Sequence, residues 1–209
     1  MNTSTAAREK NPRVIHAANP SDQWFTPLHL RELAQRVLRR IDLDPATSAE
    51  NPLQAVRWFT AADDALSRPW RTLLEAPGPD QDFTIWLNPP YGRGIGAWMQ
   101  RVHDLTELMP STRVLVLVPS RPGARWYASS SQHAQLLCEL HGRVRFERPD
   151  GSPAPDEARW GCALMYWGPD RKRVAGILRA HGVLRWGRRL KPQPTTIGCS
   201  GQLRLLPLE

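Results

Sequence analysis

The tetrapeptide Asn88-Pro89-Pro90-Tyr91 holds the residues whose types and spacing point most directly to chemistry. An asparagine side-chain oxygen accepts one hydrogen bond from an –NH2 group, and the main-chain carbonyl of Pro89 can accept a second. Two acceptors on one amine draw it toward tetrahedral geometry and free a lone pair otherwise delocalised into a ring or carbonyl. Such a nitrogen can attack a sulfonium methyl group in line. The consecutive prolines remove backbone freedom and N–H donors, so the carbonyl is aimed before a substrate arrives. Tyr91 offers a flat face on which a planar substrate can stack. This chemistry calls for neither a strong base nor a metal. The competing reading is a Pro-Pro turn closing a strand, in a chain with 20 prolines. The setting favours chemistry: the tetrapeptide directly follows the apolar run Ile85-Trp86-Leu87 and directly precedes a helical pattern. The six histidines show no ligand spacing, and Cys138, Cys162 and Cys199 form no CxxC pair, so neither a zinc site nor a disulfide framework is expected.

The elements that must position this segment follow from hydrophobic periodicity. Thr26 can cap a helix that has Pro27 at its first position, and Leu30, Leu33, Ala34, Val37, Leu38 and Ile41 recur at helical spacing. Ile41 to Asp44 reads as a short strand opening into Asp44-Pro45-Ala46, Val56 to Thr60 as a second, and Thr84 to Leu87 as a third, with turn residues at 75–82 before it. Between the strand ends at Asp44 and Leu87 a strand–helix unit must be shortened or missing. A helix from Gly94 places Ile95, Trp98, Met99, Val102, Leu105 and Met109 on one face, and its tryptophan reads as core. Arg113 to Val118 is a continuous apolar run typical of a buried parallel strand. A helix is expected over 124–137, a closing strand pair at 143–147 and 162–167 around the polar loop 148–159, and a last helix from Asp170 to His181 with Gly182 as its stop. Strands alternating with helices predict an α/β fold with a largely parallel sheet. In such sheets ligands bind beyond the C-terminal strand ends, which places Asp44-Pro45-Ala46 and Asn88 to Tyr91 in one cleft.

Residues 1–20 are polar and aperiodic and read as a flexible arm, 21–182 as the folded domain, and 183–209 as a basic tail containing Pro and Gly. No stretch approaches the roughly 18 apolar residues of a membrane helix, and no apolar block near the start marks a secretory signal, so a reducing cytoplasm is expected. The formal net charge is +8, and its placement is informative. Arg171, Lys172, Arg173, Arg179, Arg185, Arg188, Arg189 and Lys191 fall in a window without acids, and they equal the whole net charge. Such a block reads either as the electrostatic footprint of a polyanion or as a solvated helix face followed by a basic tail.

Beyond these local readings, the chain resembles the phage-type DNA N-6-adenine methyltransferases, the Dam-like enzymes, from about Asp22 to Gly168. The resemblance runs through Trp24-Phe25-Thr26-Pro27, Asp42-Leu43-Asp44-Pro45-Ala46, Asp64-Ala65-Leu66 ahead of Trp70, and Asn88-Pro89-Pro90-Tyr91-Gly92. It continues with the strand ending Val118-Pro119, with Gly142-Arg143-Val144-Arg145-Phe146, and with the closing strand. It implies the Rossmann-like fold of S-adenosylmethionine-dependent methyltransferases: a mostly parallel sheet, helices on both faces and an antiparallel C-terminal strand. It also implies S-adenosylmethionine as cofactor, double-stranded DNA as partner and a flipped-out adenine as target, in a monomer needing no metal. By the same resemblance, Phe25, Thr26 and Pro27 lie along the cofactor's methionine end and Asp44, Pro45 and Ala46 form the loop around it. Asp64 hydrogen-bonds the cofactor, and Asn88, Pro89, Pro90 and Tyr91 hold the base. Arg171, Lys172, Arg173, Arg185, Arg188, Arg189 and Lys191 are the candidate DNA contacts, with the segment 92–98 and the loop 148–159. The chain departs from the general methyltransferase pattern in lacking a Gly-rich FxGxG-like loop, which this family also tends to lack. Asp44 also reads as the cap of an Asp-Pro turn, and Asp63-Asp64 as a solvated turn. The same tetrapeptide occurs in enzymes that methylate RNA base amines or protein glutamine amides, and a catalytically inactive DNA-binding module would share the fold.

Overall fold

The computed structural model describes residues 24–70 and 83–187. The expected N-terminal arm, the turn at 75–82 and the cations Arg188, Arg189 and Lys191 lie outside the described residues. In chain order the regular elements are α1 (Leu28–Leu38), β1 (Leu43–Asp44), β2 (Arg57–Trp58), β3 (Thr84–Leu87), α2 (Ile95–Leu108), β4 (Arg113–Pro119), α3 (Arg125–His133), β5 (Leu136–Leu140), β6 (Cys162–Trp167), α4 (Arg171–Leu178) and β7 (Gly182–Trp186). The seven strands form one sheet in the order β2-β1-β3-β4-β6-β5-β7. The β2-β1-β3-β4 half is parallel, and every pairing beyond β4 is antiparallel. The sheet is therefore mixed rather than largely parallel.

Alternation along the strands builds a core on each face. Trp86, Leu115, Leu117 and Leu164 point toward α1 and α4, while Ile85, Leu87, Val116 and Met165 point toward α2 and α3. This two-sided burial explains why β3, β4 and β6 read as unbroken apolar runs.

Three expectations are corrected. The helix expected over 124–137 ends at His133, and Leu136 begins a strand. Leu136 and Cys138 belong to one core and Leu137 to the other, a period of two that a helix could not satisfy. The slot beside β6 is thus filled by β5, and residues 143–147 leave the sheet. Residues 182–186, expected to be irregular, pair with β5 as the edge strand β7. Gly182 permits that return: a Cβ there would lie 2.2 Å from the Glu139 carbonyl oxygen.

The displaced 143–147 segment has a structural role. Phe25 and Glu147 exchange backbone hydrogen bonds of 2.7 and 2.9 Å. Glu147 then accepts from the Leu28 backbone N–H at 2.8 Å and from Arg31 at 2.8 Å. Pro27, rather than Thr26, occupies the N-cap position of α1, and Glu147 supplies the acceptor that the helix start requires. At the other end of α1, Arg173 donates to the Val37 carbonyl at 2.6 Å and to the Arg36 carbonyl at 3.4 Å, tying α4 to α1.

β1 and β3 share a single ladder pair, Leu43 with Ile85. A polar clasp just before it completes the join. Asp42 N donates to Thr84 O at 2.9 Å, and Thr84 N donates to Asp42 Oδ2 at 3.0 Å. The Thr84 hydroxyl lies 2.6 Å from Arg40 O and 2.9 Å from Asp42 Oδ2. Thr84→Val keeps the shape but leaves buried acceptors short of a donor, so urea unfolding should show a loss of about 1–3 kcal/mol. Thr84→Ser should recover most of it. Equal stability of the valine variant and the parent would show that the hydroxyl holds nothing.

Candidate active site

The C-terminal ends of β1, β3 and β4 open onto a cleft of about 760 Å³, within the size range of small-molecule sites. Phe25, Thr26, Asp44, Pro45, Ala46, Asp64 and the tetrapeptide Asn88 to Tyr91 all line it. Segments far apart in sequence thus meet at one point. Pro27 is not among the lining residues and serves the start of α1.

Asn88 follows the last residue of β3, so its side chain leaves the sheet at the cleft. Its Nδ2 donates to Thr26 Oγ1 at 3.3 Å. Its Oδ1 is buried and has no hydrogen-bond partner among the described residues. Buried acceptors are almost always paired, because an unpaired one forfeits its hydration without return. This unpaired acceptor beside the cleft is available to a ligand N–H. Thr26 is free to hold Asn88 because Glu147 has taken over the start of α1. Tyr91 is 40% exposed and meets Phe146 edge-on at 5.9 Å between centroids, which restrains its ring.

The acidic residues divide by environment. Asp44, the last residue of β1, is 1% exposed. Burial pushes its carboxyl up to about 7, although the Ala46 N–H donates to it at 3.2 Å and favours the charged form. The following loop is held against β2 by Thr47 N to Phe59 O at 2.9 Å and Phe59 N to Asp44 O at 2.9 Å. Asp63 spends its carboxylate on the Thr60 backbone N–H and hydroxyl, both at 2.8 Å, and these bonds hold its pKa below the usual range. Asp64 adopts a left-handed backbone with φ of 45°, a conformation that aspartate tolerates better than most residues. Asp64, exposed between two short turns, lines the cleft and Asp63 does not.

Residues without a local signal complete the wall. Trp98, expected in the core, is half-buried on the first turn of α2 and lines the cleft, with its ring 6.0 Å from that of Trp70. A helix that starts where a parallel strand ends turns its first residues toward the strand-end cleft, and that placement was the available clue. Asp156, Glu157, Arg159 and Trp160 reach the cleft from the 148–159 loop and the turn after it. That loop is folded back by Ala154 N to Phe146 O and Ala158 N to Val144 O, both 2.7 Å. Among the described residues the lining holds four acidic side chains, on Asp44, Asp64, Asp156 and Glu157, against the one cation of Arg159. Such a lining suits a ligand with net positive charge.

The described cations of the basic block lie elsewhere. β6 runs from Cys162, opposite Pro119 at the cleft end, to Trp167, opposite Val114 at the far end. α4 begins just beyond, where Asp170 meets Arg113 at 2.9 Å. Arg171, Lys172 and Arg173 therefore start α4 at the end of the sheet opposite the cleft. Arg185 pairs with Leu137 in the same far half, and Arg171 lies 5.4 Å from the Trp186 ring. Among the described residues no cluster of three or more His, Cys, Asp or Glu could hold a metal, and no helix is long and apolar enough to cross a membrane.

Comparison with known proteins agrees with this geometry. The model of a family described as DNA N-6-adenine-methyltransferase (Dam) matches residues 16–186. The chain is also similar to a DNA N-6-adenine-methyltransferase of Escherichia phage T1, with 23% identity over 155 residues, or 74% of this chain and 58% of that protein. The chain thus spans less than two thirds of that relative's length.

The Asp44 carboxyl yields a prediction with a definite sign. Its pKa is about 7 in the folded protein against an ordinary 3.8. The folded state therefore binds the proton more tightly. The stability this gives is full below about pH 4 and is lost as pH rises through 7. Asp44→Asn does not titrate, so it should gain on the parent between pH 5 and pH 8 in urea unfolding. A difference independent of pH would show that Asp44 ionises as an exposed carboxylate does.

Proposed function

We propose, on the premise that this chain belongs to the DNA N-6-adenine-methyltransferase (Dam) family, that it transfers a methyl group from S-adenosylmethionine to the 6-amino group of adenine in double-stranded DNA. The observation that carries this reading is the buried Oδ1 of Asn88, an acceptor without a partner among the described residues at the mouth of β3. The parallel β2-β1-β3-β4 half, with its cleft at the strand ends and helices on both faces, supports a Rossmann-like methyltransferase sheet.

The residues present fit the cofactor. S-adenosylmethionine carries a sulfonium and an ammonium against one carboxylate, and the described cleft lining carries three more acids than bases. Asp44, with Pro45 and Ala46, and Asp64 would hold it from the β1 side, and Phe25 and Thr26 from the start of α1. When bound, it supplies a methyl group activated by the sulfonium. The chain's own task is to hold the adenine amine. Asn88 Oδ1 and the Pro89 carbonyl accept its two hydrogens, and the bond to Thr26 keeps the amide from rotating Oδ1 away. Tyr91 stacks on the base, with Phe146 behind it. The amine of a paired adenine is occupied and stacked inside the duplex, so the nucleotide must swing out to reach this position. In this reading Arg171, Lys172, Arg173 and Arg185 add to the field that draws in a polyanion and do not touch the duplex at the target.

RNA base amines and glutamine amides present the same planar –NH2, and the family match favours adenine in DNA over both. Tritiated-methyl transfer assayed in parallel on DNA, RNA and protein should label DNA alone. Label in either of the others would reassign the substrate, and label in none would point to an inactive binding module. Asn88→Ala removes one preorganised acceptor and should lower the transfer rate by about a hundredfold to a thousandfold, with cofactor affinity by calorimetry nearly unchanged. Near-parental turnover would mean the tetrapeptide is only a turn.

A further inference from the structure

The rim of the cleft carries an exposed aromatic ring with two cations close to it. Trp160 sits in the turn before β6 and is 47% exposed. The guanidinium carbon of Arg121 lies 5.4 Å from its ring centroid and that of Arg159 lies 5.6 Å away. Among the described residues neither arginine has a carboxylate partner. The three come from two separate turns. The β4–β6 ladder ends with Pro119 opposite Cys162, and Ser120 N donates to Gly161 O at 2.7 Å just beyond it. That pairing fixes the turn after β4 against the turn before β6 at the cleft end of the sheet. Trp160 and Arg159 line the same cleft as Tyr91.

The chemistry of this trio differs from that of the cleft interior. The described lining of the cleft carries more acids than bases, which disfavours phosphate inside it. The trio offers a half-exposed indole with guanidiniums 5.4 and 5.6 Å from its ring centroid. Aromatic rings stack on any base, and arginines close by suit the phosphodiesters that flank it. A tryptophan left this exposed gains little from the fold itself, and Arg121 reaches its ring from a separate turn, beside the chain neighbour Arg159.

Resting on the function proposed above, we propose that Trp160 stacks on a base adjacent to the extruded adenine, in the strand that carries it, while Arg121 and Arg159 bind the phosphates on either side. The trio keeps the strand on the rim and lets one base enter the cleft.

The test uses the full chain and a fluorescein-labelled 30-base-pair duplex that the parent protein methylates. Binding is followed by anisotropy from about 50 to 300 mM salt. Loss of a base stack should weaken binding by about 5- to 150-fold in Trp160→Ala, with the salt slope unchanged, and Trp160→Phe should bind nearly as the parent does. The double variant Arg121→Gln/Arg159→Gln loses two phosphate contacts, so its slope of log affinity against log salt should flatten by about 2. The urea-unfolding midpoint should stay at the parental value in all three variants, which separates lost DNA contact from lost folding. A parental slope in the double variant, or parental binding by Trp160→Ala, would overturn this proposal while leaving the proposed function standing. If the parent binds and methylates no DNA, the function itself fails and this inference fails with it.

Discussion

The placement of the site depends on how β1 is held beside β3. Two strands joined by one ladder pair could slide or splay. The reciprocal bonds between Asp42 and Thr84, together with the Thr84 hydroxyl on Arg40 O, remove that freedom in a buried setting. A slip of β1 by one residue would turn Leu43 out of the core and reverse the direction of Asp44, while β3 stays registered on β4. The clasp therefore fixes both the core face and the distance between the acidic and amide groups that open into the cleft.

A second long-range tie, centred on Glu147, brings the N-terminal segment to the same place. Its backbone pairs with Phe25, and its carboxylate serves Leu28 and Arg31. A negative group at a helix start is favoured by the exposed N–H groups and the dipole. Because that need is met from outside, Thr26 is released to orient the Asn88 amide. Helix capping and site assembly are thus coupled: the residue that ends one structural demand frees another for chemistry.

Charge is partitioned between the poles of the sheet. Carboxylates line the cleft, and the most buried of them, Asp44, is held partly protonated near neutrality by the cost of desolvation. Ligand donors or positive charge placed beside it would offset that cost. Arginines stand at the rim around Trp160, and a further basic group lies at the far end of the sheet, where Arg173 is spent on the carbonyls ending α1. Net charge alone therefore says little about where a polyanion would meet the protein.

The sequence by itself determined the features that depend on near neighbours. Apolar runs marked β3, β4 and β6, helical spacing marked α1 and α2, and the strand-end rule joined Asp44 to Asn88 in one cleft. Tertiary structure decided whatever required a choice among distant partners. The 136–140 and 143–147 segments both carry apolar residues suited to a strand. Only competition for the slot beside β6 assigned the first to the sheet and the second to the clasp on Phe25. Likewise, Thr26 is as good a helix cap as any by its type, and the acceptor that relieved it comes from 119 positions away. Asp63 and Asp64 are the same residue type side by side, and backbone geometry sent one to a cap and the other to the cleft. Periodicity and turn chemistry are written over a few residues, whereas strand order and side-chain partnership emerge from the packing of the whole sheet.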